Sequence, residues 1–230
     1  MPAMASVKQD SPSSAEPGIR AVSLDALGTL VELEPPWIHL AEALGAKADE
    51  RLIGAMRAEM AYYRAHSHLG RDAGSLAELR RRCARVLSEK LGQDVDVETM
   101  MGAIRFRAYP DSAPALEAMR SLGMVLVCVS NWDCSLPGVL ARCGLAGALD
   151  GIVTSAQAGA RKPNPAIFAP ALELAGCEPA RMLHVGDTVD EDIAGARAAG
   201  LSALLLDRSG DGDIASLAEV PERLESMPGP

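Results

Sequence analysis

The chain of 230 residues is 48% hydrophobic and 23% charged, which is the composition of an ordinary globular protein and excludes an intrinsically disordered chain. Its 22 Lys and Arg against 31 Asp and Glu give a net charge of −9, which disfavours non-specific binding to nucleic acid or to an anionic membrane. No apolar stretch approaches about 18 residues without a charge, so the sequence predicts no membrane span.

The beginning of the chain and its cysteines both indicate a cytoplasmic protein. Residues 1–18 contain three prolines and several serines but no apolar run, so they are predicted to form a disordered leader rather than a signal peptide. The five cysteines form no CxxC pair and are odd in number, which favours reduced thiols over disulfides or a metal site.

Short apolar runs recur along the chain and predict strands that are buried on both faces of a parallel sheet. These runs lie at residues 19–24, 124–129, 151–153, 182–185 and 203–206. Between the later runs, apolar residues at one-face helical spacing predict helices at residues 114–121, 136–143, 166–175 and 192–199. The alternation predicts right-handed crossovers and an α/β fold with a doubly wound, mostly parallel, Rossmann-like sheet.

The segment between the first two of these strands is different, because it has helical patterns and no strand pattern. We therefore predict a helical insert at residues 34–107 in an α/β core formed by residues 19–33 and 108–230. One helix of the insert has an apolar face that includes Leu79 and Leu87, and its arginines are predicted to face solvent. These arginines are Arg80, Arg81, Arg82 and Arg85.

An acidic residue stands directly at the carboxyl end of the first predicted strand, in the string Asp25-Ala26-Leu27-Gly28-Thr29-Leu30. In open α/β sheets this edge is where ligands bind. Gly28 allows a tight turn there, and Thr29 brings a hydroxyl to the same point. By itself, Asp25 fits either a catalytic carboxylate or a side chain that caps the turn.

Three more predicted strands are followed by polar or charged residues. The second strand ends at Ser130-Asn131, whose hydroxyl and amides can hold an anion. Lys162 follows the third strand directly before a proline, and the fourth strand ends at Asp187 with more acids close behind. Because parallel strands point their carboxyl ends the same way, these groups and Asp25 are predicted to converge on one cleft.

In this order, the motifs resemble those of the haloacid dehalogenase-like (HAD) hydrolase superfamily. The matching strings are Asp25-x-x-Gly28-Thr29-Leu30, Ser130-Asn131, Lys162-Pro163 and Gly186-Asp187-x-x-x-x-Asp192. The resemblance covers roughly residues 19–33 and 110–208, and the helical insert stands where that superfamily has a helical cap. It therefore implies a hydrolase with the fold predicted above.

The resemblance also implies a role for each motif residue. Asp25 is the expected nucleophile, which forms a covalent aspartyl intermediate, and Lys162 is its expected catalytic partner. The residues expected to bind the transferred group are Thr29, Ser130, Asn131 and Lys162. The implied cofactor is Mg²⁺, with the expected ligands Asp25, the backbone carbonyl of Leu27, Asp187 and Asp192.

Physical chemistry agrees with a cation at this site. The carboxylates of Asp25 and Asp187 repel each other in a dry cleft, which raises the pKa of one of them unless a cation lies between them. Oxygen ligands, completed by a substrate phosphate, suit Mg²⁺ better than a transition metal. Because a carboxylate is a weak nucleophile, the reaction depends on its position and on neutralising the oxygens of the group that it attacks.

One position departs from the superfamily's phosphatases, which carry a second aspartate two residues after the nucleophile. Leu27 stands there and cannot transfer a proton, a form of help worth about 10²–10⁴-fold in rate. The string also resembles that of the metal-independent haloacid dehalogenases, whose halide leaves without protonation. Two features disfavour dehalogenation: Asp187 is acidic where those enzymes are not, and no arginine lies between Val31 and Lys47 to receive the halide.

Three functions therefore stay open. The favoured function is Mg²⁺-dependent hydrolysis of a small phosphorylated metabolite, and the alternatives are 2-haloacid dehalogenation and a non-catalytic binding role. The partner is expected to be a small molecule, not nucleic acid or a membrane, while its identity and the oligomeric state stay open. His39, His66 and His68 of the insert are candidates to replace the missing acid, and His184 is expected to be a core histidine.

Overall fold

A computed structural model describes residues 18–226, so the predicted leader lies outside the described residues except for Gly18. The strands are β1 (Ala21–Leu24), β2 (Val31–Leu33), β3 (Phe106–Ala108), β4 (Val125–Ser130), β5 (Gly151–Thr154), β6 (Met182–Gly186) and β7 (Ser202–Leu205). The helices are α1 (Pro36–Ala43), α2 (Glu50–His66), α3 (Ala73–Leu91), α4 (Val97–Ala103), α5 (Ser112–Ser121), α6 (Leu136–Arg142), α7 (Ser155–Ala158), α8 (Ala169–Ala175), α9 (Ala194–Ala198) and α10 (Val220–Ser226). A π-helical turn, Val189–Ile193, precedes α9.

Five of the strands form a parallel sheet in the order β5–β4–β1–β6–β7. β1 is central, since Ala21 pairs with Val125 of β4 on one side and with Met182 of β6 on the other. After β5 the chain crosses to the far side of β1, so the direction of the connections reverses between β1 and β6. Ligands of open α/β sheets bind at such a switch point, beside the carboxyl ends of the strands.

Helices cover both faces of this sheet, because its strands are apolar on both faces. On one face, Leu116 of α5 belongs to the same buried cluster as Leu24 of β1. On the other face, Ala171 of α8 is buried in a cluster with Val127 of β4. The predicted doubly wound α/β fold is confirmed.

Helices α1–α4 form a further apolar cluster, separate from the two that cover the sheet. Leu40 of α1, Met56 of α2, Leu87 of α3 and Met100 of α4 are all buried in it. Three of these helices begin after an aspartate whose carboxylate accepts the backbone N–H three residues on; these are Asp49, Asp72 and Asp96. A helical insert between the first two strands of the parallel sheet is thus confirmed.

A two-stranded antiparallel ribbon joins the insert to the core. Val31 of β2 pairs with Ala108 of β3, and Leu33 pairs with Phe106. The prediction that residues 34–107 contain no strand is wrong at their end, because β3 begins at Phe106. Three-residue strands are too short to show the alternation by which a strand is recognised in a sequence.

Two further features bear on the expected surroundings of the chain. No helix within residues 18–226 combines the length and the apolar character that crossing a membrane requires. The five cysteines are free thiols in the structure.

Candidate active site

A cavity of about 790 Å³ lies between the carboxyl edge of the parallel sheet and the helical insert. The groups that the sheet edge contributes are here called the floor, and they are Asp25, Ser130, Lys162, Asp187 and Asp192. They come from four different strand ends, as the four motifs do. The structure therefore brings the motif residues of the sequence together at one place.

Asp25 is the first residue after β1 and lies at the centre of the floor. Its backbone N–H donates to the carbonyl of Val185 in β6 (2.9 Å), which extends the hydrogen bonding of the sheet by one residue. Its Oδ1 lies 2.6 Å from Nζ of Lys162. Burial raises the pKa of Asp25, the positive charge of Lys162 opposes this rise, and the negative charge of Asp192 adds to it. Asp25 is thus held in place by the sheet and by Lys162.

Lys162 is buried and uses all three of its ammonium N–H donors. They reach Oδ1 of Asp25 (2.6 Å), Oδ1 of Asp192 (2.5 Å) and the carbonyl of Val129 (2.9 Å). The amide of Asn131 holds the Lys162 backbone, since it accepts from its N–H (2.8 Å) and donates to its carbonyl (3.0 Å). Burial by itself lowers the pKa of Lys162, but the charges of Asp25 and Asp192 outweigh burial and raise it. Lys162 therefore stays an ammonium ion between two carboxylates.

The network continues behind Lys162 into the sheet. Oδ1 of Asp192 lies 3.2 Å from Nε2 of His184, and Oδ2 of Asp192 accepts the backbone N–H of Thr188 (2.9 Å). Nδ1 of His184 lies 2.9 Å from the hydroxyl of Ser23. Burial lowers the pKa of His184, so a neutral ring that donates from Nε2 and accepts at Nδ1 satisfies both contacts. His184 is a buried, hydrogen-bonded histidine, as expected, and it supports Asp192.

The remaining carboxylate of the floor, Asp187, has no basic partner among the described residues. Burial, followed by the charges of Asp25 and Asp192, raises the pKa of Asp187 to about 6. The three carboxylates each place an oxygen within 4.8 Å of the others. Gly28 leaves the room for this, because a Cβ there would clash with the Asp187 carboxylate. Closely spaced, negatively charged oxygens are the donor set of a hard divalent cation, so these residues fit Mg²⁺.

Three other residues predicted for the site are placed in different ways. The side chain of Leu27 lines the cavity and also packs against an apolar cluster of the sheet. Thr29 does not line the cavity: the turn at Gly28 (φ 87°) carries it away, and its hydroxyl is buried without a hydrogen-bond partner among the described residues. Asn131 lines the cavity, but its amide already binds the Lys162 backbone. Binding of the transferred group by Thr29 and Asn131 stays a prediction; of the two, Asn131 lines the cavity.

The loop that carries Asp25 is held from behind by Arg208. Nη2 of Arg208 donates to the carbonyl of Thr29 (2.8 Å), and Nη1 pairs with Asp111 at 3.0 Å. The guanidinium also lies 3.6 Å from the centre of the Tyr109 ring. Sequence reasoning missed Arg208, because it belongs to no motif and lies about 180 residues from the loop that it fixes.

The insert supplies the opposite side of the cavity, here called the roof, formed by Glu59 and Tyr63 of α2 and by Arg80 and Cys83 of α3. Glu59 is only 5% exposed although it is ionisable. Burial raises the pKa of Glu59, and a hydrogen bond with the Cys83 thiol opposes this rise. Roof and core are joined where the hydroxyl of Tyr63 donates to Oδ2 of Asp133, three residues after β4 (2.8 Å).

Sequence reasoning also missed Glu59, although the sequence contains a signal for it. The buried residues of α2 are Leu52, Ala55, Met56 and Glu59. Their spacing of three, four and seven residues marks the apolar stripe of an amphipathic helix. A glutamate on that stripe is an exception to the pattern, and such exceptions point to a functional role more often than a polar residue on the solvent face does.

Two predictions about the roof need correction. Arg80 was expected to face solvent, but it lines the cavity, since the helix turns it to the other side from Arg81 and Arg82, which pair with Glu78. The three insert histidines considered as replacement acids do not line the cavity; they are His39, His66 and His68.

Comparisons with known proteins agree with this architecture. Residues 19–200 match the haloacid dehalogenase-like hydrolase family. Haloacid dehalogenase-like hydrolase domain-containing protein 3 of Danio rerio is 35% identical over 150 residues, which are 60% of this chain and 61% of that protein. The glyceraldehyde 3-phosphate phosphatase of Methanothermobacter thermautotrophicus is 38% identical over 106 residues, 44% of this chain and 45% of that protein. The chain thus spans less than two thirds of the length of these curated relatives.

A solved structure shares the fold over nearly the whole chain. The L-2-haloacid dehalogenase of Xanthobacter autotrophicus superposes with a TM-score of 0.71, over 91% of this chain and 99% of its own. The two sequences are 22% identical, so this likeness shows the fold alone.

Proposed function

The chain belongs to the haloacid dehalogenase-like hydrolases, and on this basis we propose that it hydrolyses a small phosphorylated metabolite with Mg²⁺ and an aspartyl-phosphate intermediate on Asp25. One observation carries the proposal. Asp187 faces Asp25 at the switch point of the sheet, and their oxygens lie with one of Asp192 within 4.8 Å. Lys162 pairs with Asp25 and Asp192 but leaves Asp187 unpaired, so the cluster keeps an excess of negative charge that a divalent cation offsets. A metal-independent reaction does not need Asp187.

The proposed reaction has two steps, both centred on Asp25. A carboxylate oxygen of Asp25 attacks phosphorus while the bond from phosphorus to the leaving oxygen breaks, and water then attacks phosphorus and frees Asp25. Lys162 holds Asp25 in position and places a positive charge beside the transferred group, to which Ser130 offers a hydroxyl. Mg²⁺ would be held by Asp25, the backbone carbonyl of Leu27, Asp187 and Asp192, and it would supply charge that neutralises the phosphoryl oxygens.

The size of the cavity and the relatives support a phosphate ester of a small alcohol. A cavity of about 790 Å³ is much larger than a phosphate group, so an organic leaving group fits beside it. One relative is named as a glyceraldehyde 3-phosphate phosphatase. We propose the same chemical class of substrate, an aliphatic phosphate ester, for this chain.

Dehalogenation of a 2-haloacid is the second candidate, and Leu27 is the observation that favours it. Leu27 lines the cavity at the position where the superfamily's phosphatases have a proton donor, and a halide leaves without a proton. The acidic Asp187 beside Asp25 is the feature that this reaction does not explain.

The test is a screen of phosphorylated metabolites and 2-haloacids, with and without Mg²⁺, on the wild-type chain and on Asp25→Asn. Release of phosphate that requires both Mg²⁺ and Asp25 is the expected result. Release of halide without metal would replace the proposal by the second candidate. Inactivity on both classes, together with intact Mg²⁺ binding by calorimetry, would replace it by a non-catalytic binding role.

A further inference from the structure

We propose that Glu59 donates the proton that the leaving group needs, and so replaces from the roof the acid that is missing at Leu27. This inference rests on the proposed phosphatase function. The two residues reach the same cavity from opposite sides, Leu27 from the loop after β1 and Glu59 from α2 of the insert. The superfamily's phosphatases have an acid at the first of these positions, and this chain has one at the second.

The geometry of α2 places Glu59 on the wall of the cavity that contains the reacting groups. Glu59 and Tyr63 are four residues apart, so their side chains lie on the same face of the helix. The hydroxyl of Tyr63 donates to Asp133 (2.8 Å), which lies two residues after Asn131 on the loop that leaves the floor. The face of α2 that carries Glu59 is therefore the face that the insert presents to the core at the active site.

Among the described residues that line the cavity, Glu59 is the carboxyl group that is free to exchange a proton with a substrate. Each of the others accepts from a lysine, an arginine or a tyrosine, or belongs to the proposed metal site; they are Asp25, Asp133, Asp187, Glu191 and Asp192. No lysine, arginine or histidine among the described residues lies within ion-pair distance of Glu59. Its neighbour is the Cys83 thiol, a weak hydrogen-bonding group.

The surroundings of Glu59 favour its protonated form. The side chain is 5% exposed, and burial raises the pKa of Glu59 because it disfavours the charged form. A general acid works best when its pKa lies near the working pH, and burial moves a glutamic acid in that direction. Burial and placement thus agree with the same role.

The proton balance of the proposed reaction closes on Glu59. In the first step an oxygen of Asp25 forms a bond to phosphorus, the bond from phosphorus to the leaving oxygen breaks, and that oxygen takes the proton of Glu59 to give an alcohol. In the second step the Glu59 carboxylate takes a proton from the water that attacks phosphorus. Inorganic phosphate and the Asp25 carboxylate are released, and Glu59 is protonated again.

The experiment compares two leaving groups in wild type and Glu59→Gln, with D-glyceraldehyde 3-phosphate as the alkyl ester and p-nitrophenyl phosphate as the activated aryl ester. We expect kcat to fall by about 10²–10⁴-fold on the alkyl ester and far less on the aryl ester, whose leaving group hardly needs a proton. Glu50→Gln is the matched control, because Glu50 is an exposed glutamate in the first turn of the same helix. It should leave both rates unchanged.

A second variant separates proton donation from structural damage. In Glu59→Gln, the added substitution Leu27→Asp supplies an acid at the superfamily's position and should recover turnover of the alkyl ester. An equal loss on both esters in Glu59→Gln, or no loss on either, would overturn the role of Glu59.

A trapping control distinguishes failure of this inference from failure of the proposed function. Beryllium fluoride with Mg²⁺ mimics the phosphoryl group on Asp25, and it should be bound equally by wild type and Glu59→Gln. If the wild-type chain itself does not bind it, the phosphatase function fails, and the role of Glu59 falls with it. If binding is intact and the leaving-group effect is absent, only the role of Glu59 is overturned.

Discussion

The floor and the roof of the cavity differ in how completely their charged groups are paired. In the floor, Lys162 uses all three ammonium donors, and both oxygens of Asp192 accept hydrogen bonds. In the roof, Glu59 lies beside a thiol, and Arg80 has no carboxylate within ion-pair distance among the described residues. The floor is organised before any ligand arrives, whereas the roof keeps polar groups available for one.

This difference shows how one cavity can hold its reacting groups in fixed positions while other groups stay free to recognise the substrate. The buried group formed by Asp25, Lys162 and Asp192 is rigid, because displacing one member leaves the others with uncompensated charge. Such rigidity suits a nucleophile, whose rate depends on its position to within an ångström. A polar group without a protein partner reduces stability, but it is the kind of group that can recognise the leaving part of a substrate.

The largest expected effect comes from changing the floor at Asp25, the proposed nucleophile. Asp25→Asn should abolish turnover and the binding of beryllium fluoride, because a carboxamide does not attack phosphorus. The melting temperature should change little, since the amide keeps the shape of the side chain. Steady-state assays and calorimetric titration check both statements. Appreciable turnover by the variant would remove Asp25 from its role.

The next effect tests whether the pairing of the floor also stabilises the fold. Lys162→Met leaves Asp25 and Asp192 buried without their cation, so we expect the free energy of unfolding to fall by about 3–5 kcal/mol. Urea denaturation measures the change. Lys90→Met on the exposed surface of α3 is the control, with an expected change within about 0.5 kcal/mol. Similar stabilities of the two variants would contradict the idea of a tightly coupled floor.

A smaller effect is expected where the roof meets the core. Tyr63→Phe removes the hydrogen bond to the Asp133 carboxylate and should lower the free energy of unfolding by about 1.5–3 kcal/mol. A double-mutant cycle with Asp133→Asn isolates the contact from other effects of each substitution. If the changes in the free energy of unfolding of the two single variants simply add in the double variant, this hydrogen bond does not join roof to core.

A further effect is a pH dependence of stability that arises from Asp187 in the floor. The pKa of Asp187 is about 6 in the folded protein and about 3.9 in an unfolded chain, so folding binds this proton more tightly. The stability that it contributes is complete below about pH 4 and is lost as the pH rises through about 6. Thermal melts of the metal-free protein should therefore show a fall in stability across this window that is smaller in Asp187→Asn.

Added Mg²⁺ provides a second test of the role of Asp187 in this pH dependence. The metal binds the ionised carboxylate, so saturating Mg²⁺ should restore the stability of wild type near neutral pH and should not do so in Asp187→Asn. The same pH slope in both proteins, with or without the metal, would contradict the place given to Asp187.

The sequence predicted the floor much better than the roof, for a physical reason. Ser130 ends β4, while Asp25, Lys162 and Asp187 come after β1, β5 and β6. The geometry of a parallel sheet then decides where these residues meet. What the sequence did not reveal is which atoms pair: that the Asn131 amide bonds the Lys162 backbone, or that Thr29 does not line the cavity. Such pairings depend on distances that no motif contains.

No comparable geometric rule relates the sequence positions of the roof residues to their places in the cavity. Glu59 lies on the apolar stripe of α2, and only the packing of the insert against the core shows that this stripe reaches the cavity at its far end. Arg80 belongs to a run of arginines that share a helix but not a direction. The short strand β3 escaped notice because three residues form no period, although its pairing with β2 determines where the insert begins and ends.

The ribbon formed by β2 and β3 has a consequence for how the insert can change during evolution. The chain leaves the core at Leu33 and returns at Phe106, and these two residues are direct partners, about 5 Å apart. Closing a loop between such neighbouring ends costs only about 0.6 kcal/mol more for each doubling of its length. The helical insert, which one continuous stretch of coding sequence specifies, can therefore be lengthened, shortened or exchanged while the sheet and its strand-end residues keep their places.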